Sequence, residues 1–371
     1  MAYDVIVSGH LCADLIPDTS NLPLEALASA GKLFEMGALT LATGGAVSNT
    51  GVALHRLGVK VGLMTGVGDD LLGRVIIAKL KDCDPSLGDL ITTRPNVASS
   101  YSVILSPRDA DRIILHCPGN NVHFDLPDVD LAVVQQSKIF YLGYPPLLPK
   151  LYANDGEALA ALFQRVHDLG VVTALDMTHP DPGGPSGRVN WVEVLHRVLP
   201  FVDVFLPSIE EIVFMLRRAD YDRWHGAVMA HLNRAYLRRL ADELIEMGAA
   251  VAGLKLGEYG FYMKTASDPR RFARFDRLGG SWAHWGGLEH WHPVFKVNVV
   301  GAIGAGDCAY AGFLMALLRG FQPQEALRFA CAVGASNVEY ADATSGVQSC
   351  EATLSRINAG WDVSSYVLPE V

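Results

Sequence analysis

Cysteine is scarce in this sequence. Its 371 residues hold six, at Cys12, Cys83, Cys117, Cys308, Cys331 and Cys350, with no CxxC pair and no zinc-ligand spacing. That excludes a disulfide scaffold and a zinc ribbon, and reads as reduced thiols in a cytoplasmic protein. Positive charge is also short, with 30 Lys and Arg against 40 Asp and Glu and a formal net charge of −10. Such a chain is not built for nucleic acid or an anionic membrane surface, although local backbone amides can still bind a phosphorylated ligand. No apolar run approaches the ~20 residues of a membrane helix. The opening MAYDVIVSGHLCADLIPD has no basic leader and reads as a first strand rather than a signal peptide. Repeats and low-complexity tracts are absent as well. Half the residues are hydrophobic and only 19% are charged, which supplies a large core and excludes disorder.

What the sequence does contain is alternation. Short β-branched runs at Val5–Ser8, Val61–Thr65, Lys138–Leu142, Val171–Asp176, Val204–Leu206 and Ala250–Lys255 are separated by helical patterns. Those patterns fall at Ser48–Leu57, Leu71–Lys81, Glu157–Leu169, Trp191–Val198, Ile209–Leu216, Arg234–Met247, Ala309–Leu318 and Pro323–Tyr340. This is the pattern of an α/β fold: one mostly parallel central sheet with helices on both faces, taken as a single domain over residues 1–371. Two regions break it. Leu33–Ala42, and the pair Tyr101–Leu105 and Arg112–His116 joined by SPRDAD, read as strands with no helix between them. They predict a small antiparallel β lid, inserted at about 11–43 and 96–124. The segment Ala266–Pro293, rich in Trp, His and Arg, reads as a loop-like surface insertion or an oligomer contact.

Chemistry concentrates at VVGAIGAGDCAYAGFL, Val299–Leu314. In a doubly wound sheet, ligands sit where strand ends lead into helices. Gly304, Ala305 and Gly306 carry almost no side chain, so their N–H groups can approach an anion at a helix N-terminus. Asp307 follows. It could take the proton of a hydroxyl attacking phosphorus, or it could simply cap the helix. Further upstream, GGAVSNTGVALHRLG supplies Gly44, Gly45 and Asn49, bare amides plus a side-chain amide that both donates and accepts, as a polyol requires. Asp14, after the first strand, could accept from two sugar hydroxyls or could be a turn residue. No GxGxxG follows that strand, where Ser8-Gly9-His10-Leu11 stands instead, so a dinucleotide-dependent oxidoreductase is set aside.

With these pieces in order the sequence resembles the ribokinase-like (PfkB) family of sugar and nucleoside kinases. Six blocks follow the family's sequence, from VSGHLCADLI and GGAVSNTGVALHRLG through GVGDDLLG, LPSIEEI and KLGEYG to GAGD. The resemblance implies a ribokinase-like fold and ATP-dependent transfer of phosphate to a sugar or nucleoside hydroxyl. Asp307 would be the base and Gly304, Ala305 and Gly306 the anion hole. Asp14, Gly44, Gly45 and Asn49 would hold the acceptor. Ser208, Lys255, Gly257 and Gly260 would lie at the nucleotide, and Glu211 would hold a water-coordinated Mg²⁺. Lid strands of relatives often pair between subunits, which makes a homodimer through the lid an expectation too.

The family's loop usually opens with Asp-Thr, where this chain has Gly301 and Ala302. Loss of that carboxylate argues against K⁺ activation and for a less rigid anion hole. Ser208 stands where relatives have asparagine, and Lys255 where many have threonine. Lys255 could reach a phosphate or pair with a carboxylate, and Glu211 could equally be a helix-start acid. These departures motivate an alternative, a kinase-fold protein that binds a sugar or nucleotide as a sensor without efficient turnover. His10 and His179 lie near strand ends that should face the site, and Arg94, Arg108 or Arg112 could serve a phosphorylated acceptor.

Overall fold

Strands buried on both faces need continuous apolar runs, and the VIVSG and IFYLG runs supply them. The computed structural model describes residues 3–27, 29–109 and 112–371. Its main sheet contains β1 (Val5–Gly9), β4 (Val61–Gly68), β5 (Ile91–Arg94), β8 (Ile139–Gly143), β9 (Val172–Asp176), β10 (Val204–Phe205) and β11 (Val251–Lys255), all parallel. Two antiparallel strands, β12 (Phe261–Thr265) and β13 (Glu289–His292), finish one edge. The order is β13-β12-β11-β10-β9-β8-β1-β4-β5.

Side-chain alternation along β1 separates two cores. Val5 and Val7 pack with Leu54, Phe313 and Leu327 of the helices Ala46–Arg56, Ala305–Leu318 and Pro323–Asn337. Ile6 points the other way, into the core of Leu162, Val213 and Leu240, from the helices Pro149–Asp168, Ile209–Leu216 and Arg234–Met247. From β1 the main sheet continues to β4 and β5 on one side, while β8 through β11 lie on the other. Loops diverge at such a switch point and leave a crevice beyond the strand ends.

The helices Trp191–Val198, Ile209–Leu216 and Arg234–Met247 fall where the sequence places them, the first and last capped by Asn190 and Asn233 side chains. The lid does not form as expected. Its strands β2 (Cys12–Pro17), β3 (Leu39–Gly44), β6 (Tyr101–Leu105) and β7 (Ile113–Cys117) pair in the order β3-β2-β6-β7. The two hairpin-like pairs are antiparallel, but β2 runs parallel to β6, so the lid is a mixed sheet rather than an antiparallel one. Residues 32–38 stay irregular, so β3 begins at Leu39 rather than Leu33. Ala110 and Asp111 of the expected SPRDAD turn lie outside the described residues.

The segment from Ala266 to Pro293 is not loop-like throughout, and its aromatic side chains anchor it to the core. It holds a 3₁₀ run at Pro269–Leu278 and then β13. Phe272, Phe275, Trp282 and Trp285 are buried there, each ring 5.2–5.5 Å from the next. Large aromatic area drives this packing. Among the described residues no His, Cys, Asp or Glu cluster suits a metal ion. Trp285→Ala is therefore expected to lower unfolding free energy by about 3–5 kcal/mol. A surface tryptophan would cost within about 0.5 kcal/mol, and denaturant titration distinguishes the two.

Candidate active site

Parallel strands deliver their last residues to one crevice. β1 is followed by His10 and β8 by Tyr144, while β9 ends in Asp176 and β11 in Lys255. Two helices close the crevice from the side. Gly304 caps the Ala305–Leu318 helix at φ 71°, and a Cβ there would lie 2.5 Å from the Ala343 carbonyl oxygen, so only glycine makes this turn. Gly45 opens the Ala46–Arg56 helix at φ 87°, with His10 Nδ1 2.4 Å from where a Cβ would stand.

Asp307 is the third residue of its helix, is 3% exposed, and makes no cap. It accepts instead from Asn49 Nδ2 at 2.9 Å and from the Tyr144 hydroxyl, 2.8 Å from each carboxylate oxygen, with Thr50 Oγ1 at 3.5 Å. The capping alternative fails on this geometry. Burial raises the Asp307 pKa, against the pull of Lys255 and of the three donors. The sequence gives no warning of Tyr144, whose left-handed backbone (φ 66°, ψ 48°) turns its ring inward.

Of its two alternatives, Lys255 takes the carboxylate pairing. Its ammonium bonds Asp176 Oδ1 at 2.8 Å in a buried pair, and a Cβ on Gly306 would stand 3.6 Å from its Nζ. Burial opposes the charge on Lys255, but Asp176, Glu211 and Asp307 outweigh it and raise its pKa. Burial likewise pushes Asp176 up to about 6 and Glu211 up to about 7, with Lys255 pulling both back. Three carboxylates thus share the crevice with one ammonium, and among the described residues they form no metal-ligand cluster. With no preformed ligand cluster, a divalent ion would take most of its shell from water and nucleotide phosphate. Asp176 was also missed in the sequence, although an aspartate ending a parallel strand is a recognisable signal.

A cavity of about 820 Å³ begins at this point, with Lys255, Gly257, Gly260, Ala305 and Gly306 on its wall. That is within the range of nucleotide-sized pockets. Ser208 and Glu211 are not on that wall. They form a reciprocal capping box at the Ile209–Leu216 helix, with Ser208 N donating to Glu211 Oε2 at 2.7 Å. The glycine loop itself is pinned without an Asp-Thr pair: Asn337 Nδ2 donates to the Ile303 carbonyl, and Val300 and Gly301 N–H groups to that of Val338.

On the lid side, Asp14 lies over Gly44, its Oδ2 2.2 Å from where a Cβ would be. Beside it, His116 Nδ1 meets Ser102 Oγ at 3.1 Å, and the His10 ring packs 5.2 Å from His116 and 6.1 Å from Tyr144. Among the described residues, both His10 ring nitrogens, His116 Nε2 and Asn49 Oδ1 are buried without a hydrogen-bond partner. Burial holds the His10 pKa down at about 3, so the ring is neutral. His179 does not join them; it packs on Phe214 and Tyr221. Arg94 is paired with Asp128 and Arg108 with Asp109.

Comparison with known proteins gives the family and the fold. The family model for pfkB family carbohydrate kinases matches residues 2–350. The chain is 24% identical over 328 residues to the 5-dehydro-2-deoxygluconokinase of Bacillus anthracis, covering 88% of this chain and 86% of that one. The Shouchella clausii enzyme of the same name is 24% identical over 333 residues, at 89% and 88% coverage. Among solved structures, Arabidopsis thaliana ribokinase with ribose and ATP superposes with a TM-score of 0.71 at 19% identity, covering 96% and 98% of the two chains. Xylella fastidiosa fructokinase with bound ATP gives 0.71 at 18%, covering 96% and 99%. At these identities the structural likeness establishes the ribokinase-like fold.

Burial raises the Asp14 pKa to about 6, despite hydrogen bonds from Cys12 and Ser102. The folded state thus keeps this proton to higher pH than the unfolded chain, whose aspartates titrate near ~3.9. Stability carried by Asp14 is therefore lost as pH rises from about 4 to about 6. Asp14→Asn should be more stable than the parent above pH 6 and no better near pH 4. Denaturant titrations at the two pH values check this.

Proposed function

The chain belongs to the pfkB family of carbohydrate kinases, and from that premise we propose that Asp307 is the general base that takes the proton of a sugar hydroxyl as it attacks the γ-phosphate of ATP. The observation that carries this reading is the position of Asp307. It sits on the first turn of the helix whose Ala305 and Gly306 border the large cavity, and it is bonded to Asn49 on the acceptor side. One residue therefore adjoins both substrates. A free aspartate is a weak base; burial moves this one toward neutrality, where a base works best.

The nucleotide would lie along the Gly257–Gly260 turn with its terminal phosphate at the Ala305 and Gly306 amides, where the helix N-terminus and Lys255 offset its charge. Glu211 and Asp176 are the carboxylates that would hold Mg²⁺ through water. Bound with the nucleotide, Mg²⁺ would supply charge neutralisation at the phosphates. An ATP and Mg²⁺ complex of an E. coli ribokinase-type protein shares the fold, with a TM-score of 0.69 at 17% identity. Gly301 and Ala302 bring no side-chain oxygen, and the proposal includes no K⁺ requirement.

The acceptor faces neutral donors and acceptors in His10, His116 and Asn49, with the Asp14 carboxylate on the lid side and Asp307 opposite. Buried polar atoms without partners are costly unless a ligand satisfies them, and closely spaced hydroxyls do that best. Arg94 and Arg108 already face carboxylates, which favours a non-phosphorylated acceptor. A panel of 5-dehydro-2-deoxygluconate, ribose, fructose, 2-keto-3-deoxygluconate, nucleosides and sugar phosphates, followed by ADP release, identifies it. With the best acceptor, Asp307→Asn should lower kcat at least ~10²-fold with little change in KM. A variant that keeps most of its turnover removes Asp307 from the base role.

The lid carries a second expectation. Leu33, Met36, Leu39, Ile114 and Leu115 are each more than half exposed, and β3 and β7 are open sheet edges. Exposed edges and apolar patches mark association sites, and a second copy of the chain offers the matching surface. A homodimer through the lid is expected in light scattering, and Leu39→Glu with Ile114→Glu should convert it to monomer.

A further inference from the structure

Every phosphotransferase of this kind has to prefer a sugar hydroxyl over water, which is far more concentrated and is also an alcohol-like donor. Asp307 already carries a stand-in. The Tyr144 hydroxyl lies 2.8 Å from both of its oxygens and donates to them, as any hydroxyl handing its proton to this carboxylate would have to do. Asn49 holds Oδ2 from the other side, so the carboxylate has little open edge. Thr50, at 3.5 Å from Oδ1, is the remaining donor.

Tyr144 is held there under constraint. Its backbone is left-handed, unusual for a bulky residue, and two prolines follow it. Its N–H bonds the Asp176 carbonyl at 3.1 Å, which ties the turn to the end of β9. The ring stacks on His10, whose two nitrogens are buried without protein partners. Burial, together with Asp307 and Asp176, keeps the phenol protonated, so its hydroxyl remains a donor and does not become a rival base. Any group that satisfies His10 and Asn49 Oδ1 together must lie against Tyr144.

We propose that Tyr144 is the residue that selects sugar over water, by occupying the general base until an acceptor displaces its hydroxyl. Water can compete for one hydrogen bond at Asp307 but makes no wider set of contacts. A sugar that bonds His10, Asn49 and the lid together has the binding energy to move the tyrosine aside. Selectivity then comes from differential displacement rather than from a tight fit alone.

This inference rests on Asp307 acting as the base, and the test separates the two. MgATP alone, with no acceptor, is the probe, and phosphate release is the readout. Tyr144→Phe keeps the ring and removes the donor. It should raise acceptor-free ATP hydrolysis at least tenfold, and with it the ratio of hydrolysis to sugar phosphorylation, at an unchanged melting temperature. Tyr144→Ala should raise hydrolysis further. Adding Asp307→Asn to Tyr144→Phe should abolish the gained hydrolysis. If Tyr144→Phe and Tyr144→Ala leave hydrolysis at the parent level while Asp307→Asn is inactive, the selection role is overturned and the base stands. A fall in sugar turnover of tenfold or more in Tyr144→Phe also overturns it, because the hydroxyl would then serve the reaction itself. If Asp307→Asn retains sugar turnover, the base assignment fails first.

Discussion

The structure turns on one buried charge arrangement. Lys255 and Asp176 pair at 2.8 Å at the ends of two parallel strands, and Asp307 and Glu211 share the same field. Without Lys255, three carboxylates in a desolvated crevice would repel one another and most would be protonated. With it, the attraction of the ammonium draws all three back toward the ionised form. A loop almost bare of side chains can approach because the lysine already supplies positive charge next to Gly306.

This arrangement gives the lone aspartate behind a glycine loop a role beyond capping. Gly304 makes the turn into the helix, and Asp307 is left to bond across to a second helix through Asn49 and to a strand end through Tyr144. The loop's missing Asp-Thr pair is compensated locally. Asn337 and the Val338 carbonyl, from the C-terminal end of the neighbouring helix, hold residues 300–303 in place. Rigidity at an anion site can come from main-chain bonds as well as from a carboxylate.

Much of this was legible in the chain. Apolar runs of strand length alternated with helical periodicity, and three helices began and ended where their caps stand. Asp14, Gly44, Gly45 and Asn49 were placed by their order along the chain. Other features were not legible. β5 and β13 are four-residue edge strands with weak patterns, and β12 lies just inside β13. The mixed lid depends on β2 meeting β6, 88 residues later in the register Ala13 to Tyr101, a contact no local pattern encodes. The tryptophan-rich segment looked like surface because its aromatics sit among arginines and histidines, and only packing shows that Trp285 and Phe275 face inward.

By itself, then, the sequence determined the fold class and the glycine loop that leads into Asp307, because periodicity and glycine placement act over a few residues. Tertiary structure alone decided that Tyr144 would rest on Asp307, that Lys255 would pair with Asp176, and that His10 would be left without a partner. Each of those contacts joins ends of different strands or helices. Distances of that kind are set by how a twisted sheet brings its carboxyl ends together, which no stretch of neighbouring residues can specify.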